Sequence, residues 1–155
     1  SATIQATIHF LHQVPSKLMV ITRQLQFETQ GENDIVDLTE SIAGLVSESG
    51  IDSGHVGLFV MGSTAALTTI EFEPGLMVDF PAALEKIAPK GARYAHEERW
   101  HDDNGHSHVR ASLIGPDLNV PFFEGKLMLG TWQQIVLVEC DTRARERLVT
   151  VQLVG

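Results

Sequence analysis

The sequence predicts an α+β fold: a mostly antiparallel β-sandwich core with two main helices and one short helix. Three observations carry that expectation. Apolar and polar residues alternate in several short stretches, the period of a half-buried strand. Two other stretches place apolar residues at helical spacing. The two kinds of segment follow one another without the strict strand–helix–strand alternation of a parallel sheet.

Residues 3–12 alternate, with Ile4, Ala6, Ile8 and Phe10 on one face, and predict a first strand. Leu18 to Thr29, LMVITRQLQFET, is alternating and β-branched, a second strand. In Asp37-Leu38-Thr39-Glu40 the aspartate reads as the cap of a capping box. Leu38, Ile42, Leu45 and Val46 then share a helical stripe that Gly50 can end. His55 to Met61 is a compact apolar run, a buried strand, and Ala65 to Glu73 is the next. The two are expected to form a hairpin turning near Gly62-Ser63. Residues 76–88 carry Met77, Phe80, Leu84 and Ile87 at helical spacing, with Pro81 expected to kink or restart the helix. The polar stretch 89–104 predicts loop. Val109 and Leu113 mark a short helix over about 105–114, closed by Gly115-Pro116. Three strands near 118–123, 131–141 and 147–154 complete the chain. Their turns fall at Glu124-Gly125 and over Asp141 to Glu146.

At 155 residues the chain suits one domain spanning 1–155, long enough to bury a core. No apolar run approaches the ~20 residues that cross a bilayer. The opening stretch has no basic region of the kind that starts a signal peptide. The single Cys140 excludes an internal disulfide framework, and a cytoplasmic protein is expected. Net charge is −9, with ten acids and no Lys or Arg from Glu28 to Asp79. Such a chain is a poor partner for nucleic acid or anionic membrane, because both require a cationic face.

The stretch HDDNGHSHVRASLIG, residues 101–115, concentrates metal-capable and proton-transferring groups. Asp102, Asp103 and Asn104 stand at the expected start of the short helix. There the helix dipole favours acids, which is their structural reading. Their functional reading is that two carboxylates and a divalent ion hold a phosphate or diphosphate. His106 and His108 share a face on a strand but point nearly opposite ways on a helix. On the helix His108, Ala111, Ser112 and Gly115 make a small-residue face suited to a pocket wall. His108 is therefore the better site candidate and His106 the surface residue. His96 and His101 lie just upstream, so histidines plus a carboxylate could build an open metal site, although no fixed zinc spacing is matched.

Elsewhere, Trp132 reads as a core or interface residue and Gln133 as a surface amide. Glu71, late in an apolar strand, either needs a partner or faces water at an edge. Arg143, Arg145 and Arg147 share a face if extended. That suits a phosphate, but suits a solvated, charge-guarded edge strand better. His9, His12 and His55 read as structural, and Cys140 as an inert buried thiol. No P-loop, GxGxxG, GxSxG or HExxH motif is present.

The ordered set DDNGHSH, VPFFEGKLMLGTWQ and RARER, with DIVDLTESIAGLVSESGI and GLFVMGSTAALTTIEFEPG before it, resembles the YjbQ-like family. That family is also called the secondary thiamine-phosphate synthase family, and the resemblance runs over nearly the whole chain. It implies a compact α+β fold with a β-sandwich core and a homotrimer with sites near subunit boundaries. It also implies a candidate reaction, joining hydroxymethylpyrimidine diphosphate to a thiazole phosphate to give thiamine monophosphate and pyrophosphate. His96 matches the family histidine before the acidic loop and His108 the one opening the short helix. Glu71 matches the acid ending the ALT strand, Asp79 the acid entering the second helix, and Trp132 and Gln133 the GTWQ signature. One departure stands out: the family's histidine before the AALT segment falls on Gly62.

The expected site therefore has His108, Glu71 and Asp103 as catalytic groups. Asp102, Asn104, Trp132 and Gln133 would bind substrate. His96, His108 and His101 would bind a divalent ion, Mg or Zn. The expected partners are a small phosphorylated metabolite and further copies of the chain. Two other readings of the same residues are a metal- or phosphometabolite-binding homotrimer without transfer chemistry, and a metal-dependent hydrolase of small phosphorylated compounds.

Overall fold

The computed structural model describes residues 17–155. The expected strand over 3–12, with His9 and His12, lies outside the described residues. In chain order the elements are β1 (Val20–Glu28), β2 (Ile35–Asp37), α1 (Thr39–Glu48), β3 (Gly54–Met61), β4 (Ala65–Ile70) and α2 (Leu76–Ile87). They continue with α3 (Ala95–Trp100), α4 (Gly105–Ile114), β5 (Asp117–Phe123), β6 (Lys126–Leu127), β7 (Gln134–Glu139) and β8 (Glu146–Val154). The expected α+β class is the one observed, with every strand pairing antiparallel. One sheet has the order β1-β8-β3-β5-β6 and the other β2-β7-β4.

β7 shows how the sequence divides the interior. Its run from Ile135 to Glu139 is buried without a break because both faces are covered. Side chains alternate across a strand, so Ile135 and Leu137 enter the core between the sheets with Val56, Val151 and Ile42 of α1. Val136 and Val138 face the other way and pack with Leu84 of α2 and Ala111 of α4. Helices α2 and α4 therefore lie on the outer face of the three-stranded sheet. This second layer positions the histidine-rich segment.

Several expectations are corrected. β3 and β4 do not form a hairpin: β3 pairs with β5 and β8, β4 with β7. The turn at Gly62-Ser63 instead carries the chain from one sheet to the other. β4 ends at Ile70, so Glu71 lies beyond it and is exposed. Four helices are described rather than three: α3 occupies part of the expected 89–104 loop, and α4 is as long as α1. α1 starts at Thr39, and Asp37 accepts from the Thr39 N–H at 2.9 Å instead of occupying the cap position itself. α2 runs through Pro81 and leaves Ile87 exposed. The arginine-rich segment is not an edge. Arg147 lies in β8, which is flanked by β1 and β3, and is buried there. The turn at Glu124-Gly125 is as expected, with φ of 50° and 66°, the left-handed pair of a tight hairpin between β5 and β6.

Candidate functional site

The expected site residues fall into two groups. His96, His101, Asp102, Asp103, Asn104 and His108 gather where α3 meets α4. Glu71, Trp132 and Gln133 lie at the far end of β4 and β7. There Glu71 and Trp132 line a cleft of about 390 Å³. Gln133 donates to Thr69 Oγ1 at 3.1 Å and accepts from the Gly130 N–H, which ties the GTWQ turn to β4. Trp132 is 72% exposed, so it packs no core. A larger cleft, about 780 Å³, opens between α1 and the β5–β6 hairpin and holds none of the histidines.

In the α3–α4 group the hinge is built by a residue the sequence did not single out. Glu97 accepts from the N–H groups of Asp103 (2.6 Å) and Gly105 (2.5 Å). It thereby satisfies donors at the start of α4 that no aspartate caps. Asn104 is at the cap position but its side chain makes no capping bond. His101 and Asp103 take left-handed backbone angles, φ 54° each, and turn the chain sharply between the helices. This brings the rings of His96 and His108 edge to face, with centroids 4.5 Å apart. Asp102 Oδ1 lies 3.8 Å from His96 Nε2, too long for a hydrogen bond. Asp102, Asp103 and His101 are exposed. Among the described residues three buried polar side-chain atoms lack a partner: His96 Nε2, Asn104 Oδ1 and Ser107 Oγ. All three belong to this hinge.

His106 is not a surface residue. It is 1% exposed and contacts Glu32 Oε1 at 2.9 Å. α4 buries Gly105, His106, Ser107, Arg110 and Ala111, a face rotated from the one its small residues suggested. Arg110 is equally buried; it donates to Glu32 at 3.0 Å, to the Ala88 carbonyl at 3.0 Å, and to Glu85. Lys90 closes the network on Glu32. Burial pushes the Glu32 carboxyl up, but hydrogen bonds and positive charge from Lys90 and His106 outweigh it, and the net direction is down.

A second buried network joins the two sheets. Arg147 of β8 grips both carboxylate oxygens of Glu139 at the end of β7 and donates to Thr64. Thr64 donates in turn to Asp141, which also holds Arg145. Burial raises the Asp141 carboxyl, but the bonds from Thr64 and Arg145 bring it below its ordinary value. Cys140 lies between the networks, its thiol pushed up to about 12 by burial and by Glu139.

The donors suit some metals better than others. Among the described residues no three His, Cys, Asp or Glu side chains converge closely enough to hold an ion. A closed zinc site of three or four protein ligands is thus not formed among the described residues. Magnesium is usually held by one or two carboxylates together with substrate phosphates, a requirement that exposed Asp102 and Asp103 can meet. No described helix is long and apolar enough to cross a membrane.

Comparison with known proteins agrees with this architecture. The family model described as UPF0047 protein YjbQ-like matches residues 23–155. A UPF0047 protein of Methanothermobacter thermautotrophicus is 35% identical over 136 residues, covering 88% of this chain and 93% of that protein. A crystal structure of a YbjQ-like protein of unknown function from Sulfolobus solfataricus P2 superposes with a TM-score of 0.83 at 34% identity. It covers 90% of this chain and 99% of its own. A hypothetical protein from Aeropyrum pernix K1 gives a TM-score of 0.79 at 31% identity, covering 87% and 98%.

Proposed function

The chain belongs to the YjbQ-like family, and from that premise we propose that it is a cytoplasmic transferase of the thiamine-phosphate synthase type. It would work on a small phosphorylated metabolite at the α3–α4 hinge. The observation that carries this reading is His96. Its Nε2 is buried without a partner, set against the His108 ring and beside Asp102. A buried nitrogen left unpaired costs about 1–3 kcal/mol, a cost that a ligand group at the hinge would remove.

In the proposed reaction the C–O bond of the pyrimidine diphosphate breaks, pyrophosphate departs, and the thiazole nitrogen forms the new C–N bond to the methylene carbon. His108, reachable at the hinge, would donate a proton to a departing phosphate oxygen, and His96 would hold the adjacent oxygen through Nε2. Asn104 Oδ1, an acceptor, would orient a donor on the pyrimidine. A divalent ion shared between Asp102, Asp103 and the substrate would neutralise charge on the leaving group. Glu71, Trp132 and Gln133 lie where β4 ends and β7 begins, apart from the residues of this hinge. Their part in the proposal is as a binding surface that a neighbouring copy completes. We extend the proposal accordingly to a homotrimer, supported by the exposed apolar side chains of Phe59, Met61, Trp100 and Trp132.

A second reading, a phosphometabolite-binding protein without transfer chemistry, is favoured by Gly62 standing where the family resemblance has histidine. The test is a synthase assay with Mg²⁺ and both substrates, comparing the parent with a His96→Ala/His108→Ala double variant. Thiamine monophosphate from the parent, reduced at least ~100-fold in the variant, is the expected result. No product from a parent that still binds the pyrimidine diphosphate would replace the enzyme reading with the second one.

A further inference from the structure

The crossover turn after β3 carries three hydrogen-bond donor groups, Arg147 of β8 adds a fourth, and none of them has an acceptor among the described residues. Gly62 and Ser63 are exposed and make no hydrogen bond among the described residues, which leaves two backbone N–H groups and the Ser63 hydroxyl open. Arg147 lies against Gly62. Its Nε and Nη2 are taken by Glu139 and Thr64, whereas Nη1 has no acceptor among the described residues. The Arg147 side chain keeps 6% of its surface exposed. Its outlet is Gly62. A Cβ at that position would stand 2.9 Å from Nη1 and cover it. Gly62 also has φ of 138°, which residues other than glycine rarely adopt.

We propose that this turn is a phosphate-binding site, with the Gly62 and Ser63 N–H groups, the Ser63 hydroxyl and Arg147 Nη1 as its donors. Free N–H groups next to a guanidinium suit a tetrahedral oxyanion, because each oxygen can accept more than one charge-assisted bond. The carboxylates that would repel it are engaged inside. Glu139 accepts from Arg147, Thr29 and the Asp141 N–H, and Asp141 from Thr64 and Arg145. The guanidinium is held rigid by those partners, so little further ordering is needed when the anion arrives. The ligand class is a small molecule bearing a phosphate group. The inference does not depend on the transfer reaction, since it states only where a phosphate docks.

The test is a titration of ¹⁵N-labelled protein with inorganic phosphate at constant ionic strength, with chloride as the balancing anion. The Gly62 and Ser63 amide resonances should move saturably with phosphate and not with chloride. Gly62→Ala, checked for folding by its melting curve in phosphate-free buffer, should weaken phosphate binding by about tenfold or more. Unmoved amides at 62 and 63, an equal response to chloride, or unchanged affinity in Gly62→Ala would each overturn the proposal. Shifts confined to His96 and His108 would also overturn it while leaving the hinge reading intact.

Discussion

At Arg110 a guanidinium is held among Glu32, Glu85 and a main-chain carbonyl with almost no contact with water. Replacing it with Met leaves Glu32 facing His106 and Lys90 alone, in a pocket built around a further positive charge. Truncating one partner of such a network costs about 3–5 kcal/mol, which urea unfolding of Arg110→Met should show. Glu32 and Asp141 both titrate below their ordinary values of 4.5 and 3.8 in the folded chain. Lowered carboxyls contribute stability that is complete above those ordinary values and is lost as pH falls through the folded ones. Unfolding free energy should therefore hold steady down to about pH 4.5 and decline below it, with a shallower decline in Glu32→Gln. Cys140, with its thiol raised to about 12, should resist a thiol reagent at pH 8 in the native protein and react once unfolded in urea. At this scale the sequence was only partly legible. The buried thiol could be read from its apolar strand. The partner of His106 is 74 positions away, so nothing local distinguished the buried histidine from the accessible one.

Helix packing sets the α3–α4 hinge. A Cβ on Gly105 would come 2.6 Å from Tyr94 Cβ and 2.8 Å from Glu97 Oε1. Glycine-to-alanine changes in helices ordinarily stabilise by about 0.5–1 kcal/mol. Here overpacking, worth about 1–3 kcal/mol, opposes that gain and exceeds it. Gly105→Ala should thus lower the melting temperature and separate His96 from His108, visible as a loss of the ring-to-ring nuclear Overhauser effect. Strand and helix periods were readable in the sequence because amphipathic faces repeat locally; β1, α1, β3, α2, α4 and β8 follow from them. Pairing was not. The apolar runs of β3 and β4 give no sign that they enter different sheets, a choice made by β7 and β8 much later in the chain. α3 escaped notice because its six residues, four of them polar or charged, bury no face. Glu97, which holds the hinge, resembled any other surface acid.

Among whole-molecule properties, the proposed trimer predicts a light-scattering mass of three times the 17.0 kDa chain in dilute solution. A monomer mass would remove the shared-site arrangement and leave Glu71 and Trp132 without a role in the transfer. The resemblance to a family was legible from motifs spread along the chain, whereas the exposed side chains on which the proposed trimer rests share no period. The strand order β1-β8-β3 has a further consequence, during synthesis. β8 follows every other described element, yet it lies between two strands made long before it. While the ribosome is still translating the middle of the message, β1 and β3 have no neighbour on their facing edges, and Arg147 has not yet reached Glu139. The nascent chain carries two open strand edges through most of its translation, the kind of surface that chaperones hold and that aggregates recruit. A premature stop anywhere before residue 146 should therefore yield insoluble polypeptide rather than a smaller folded unit.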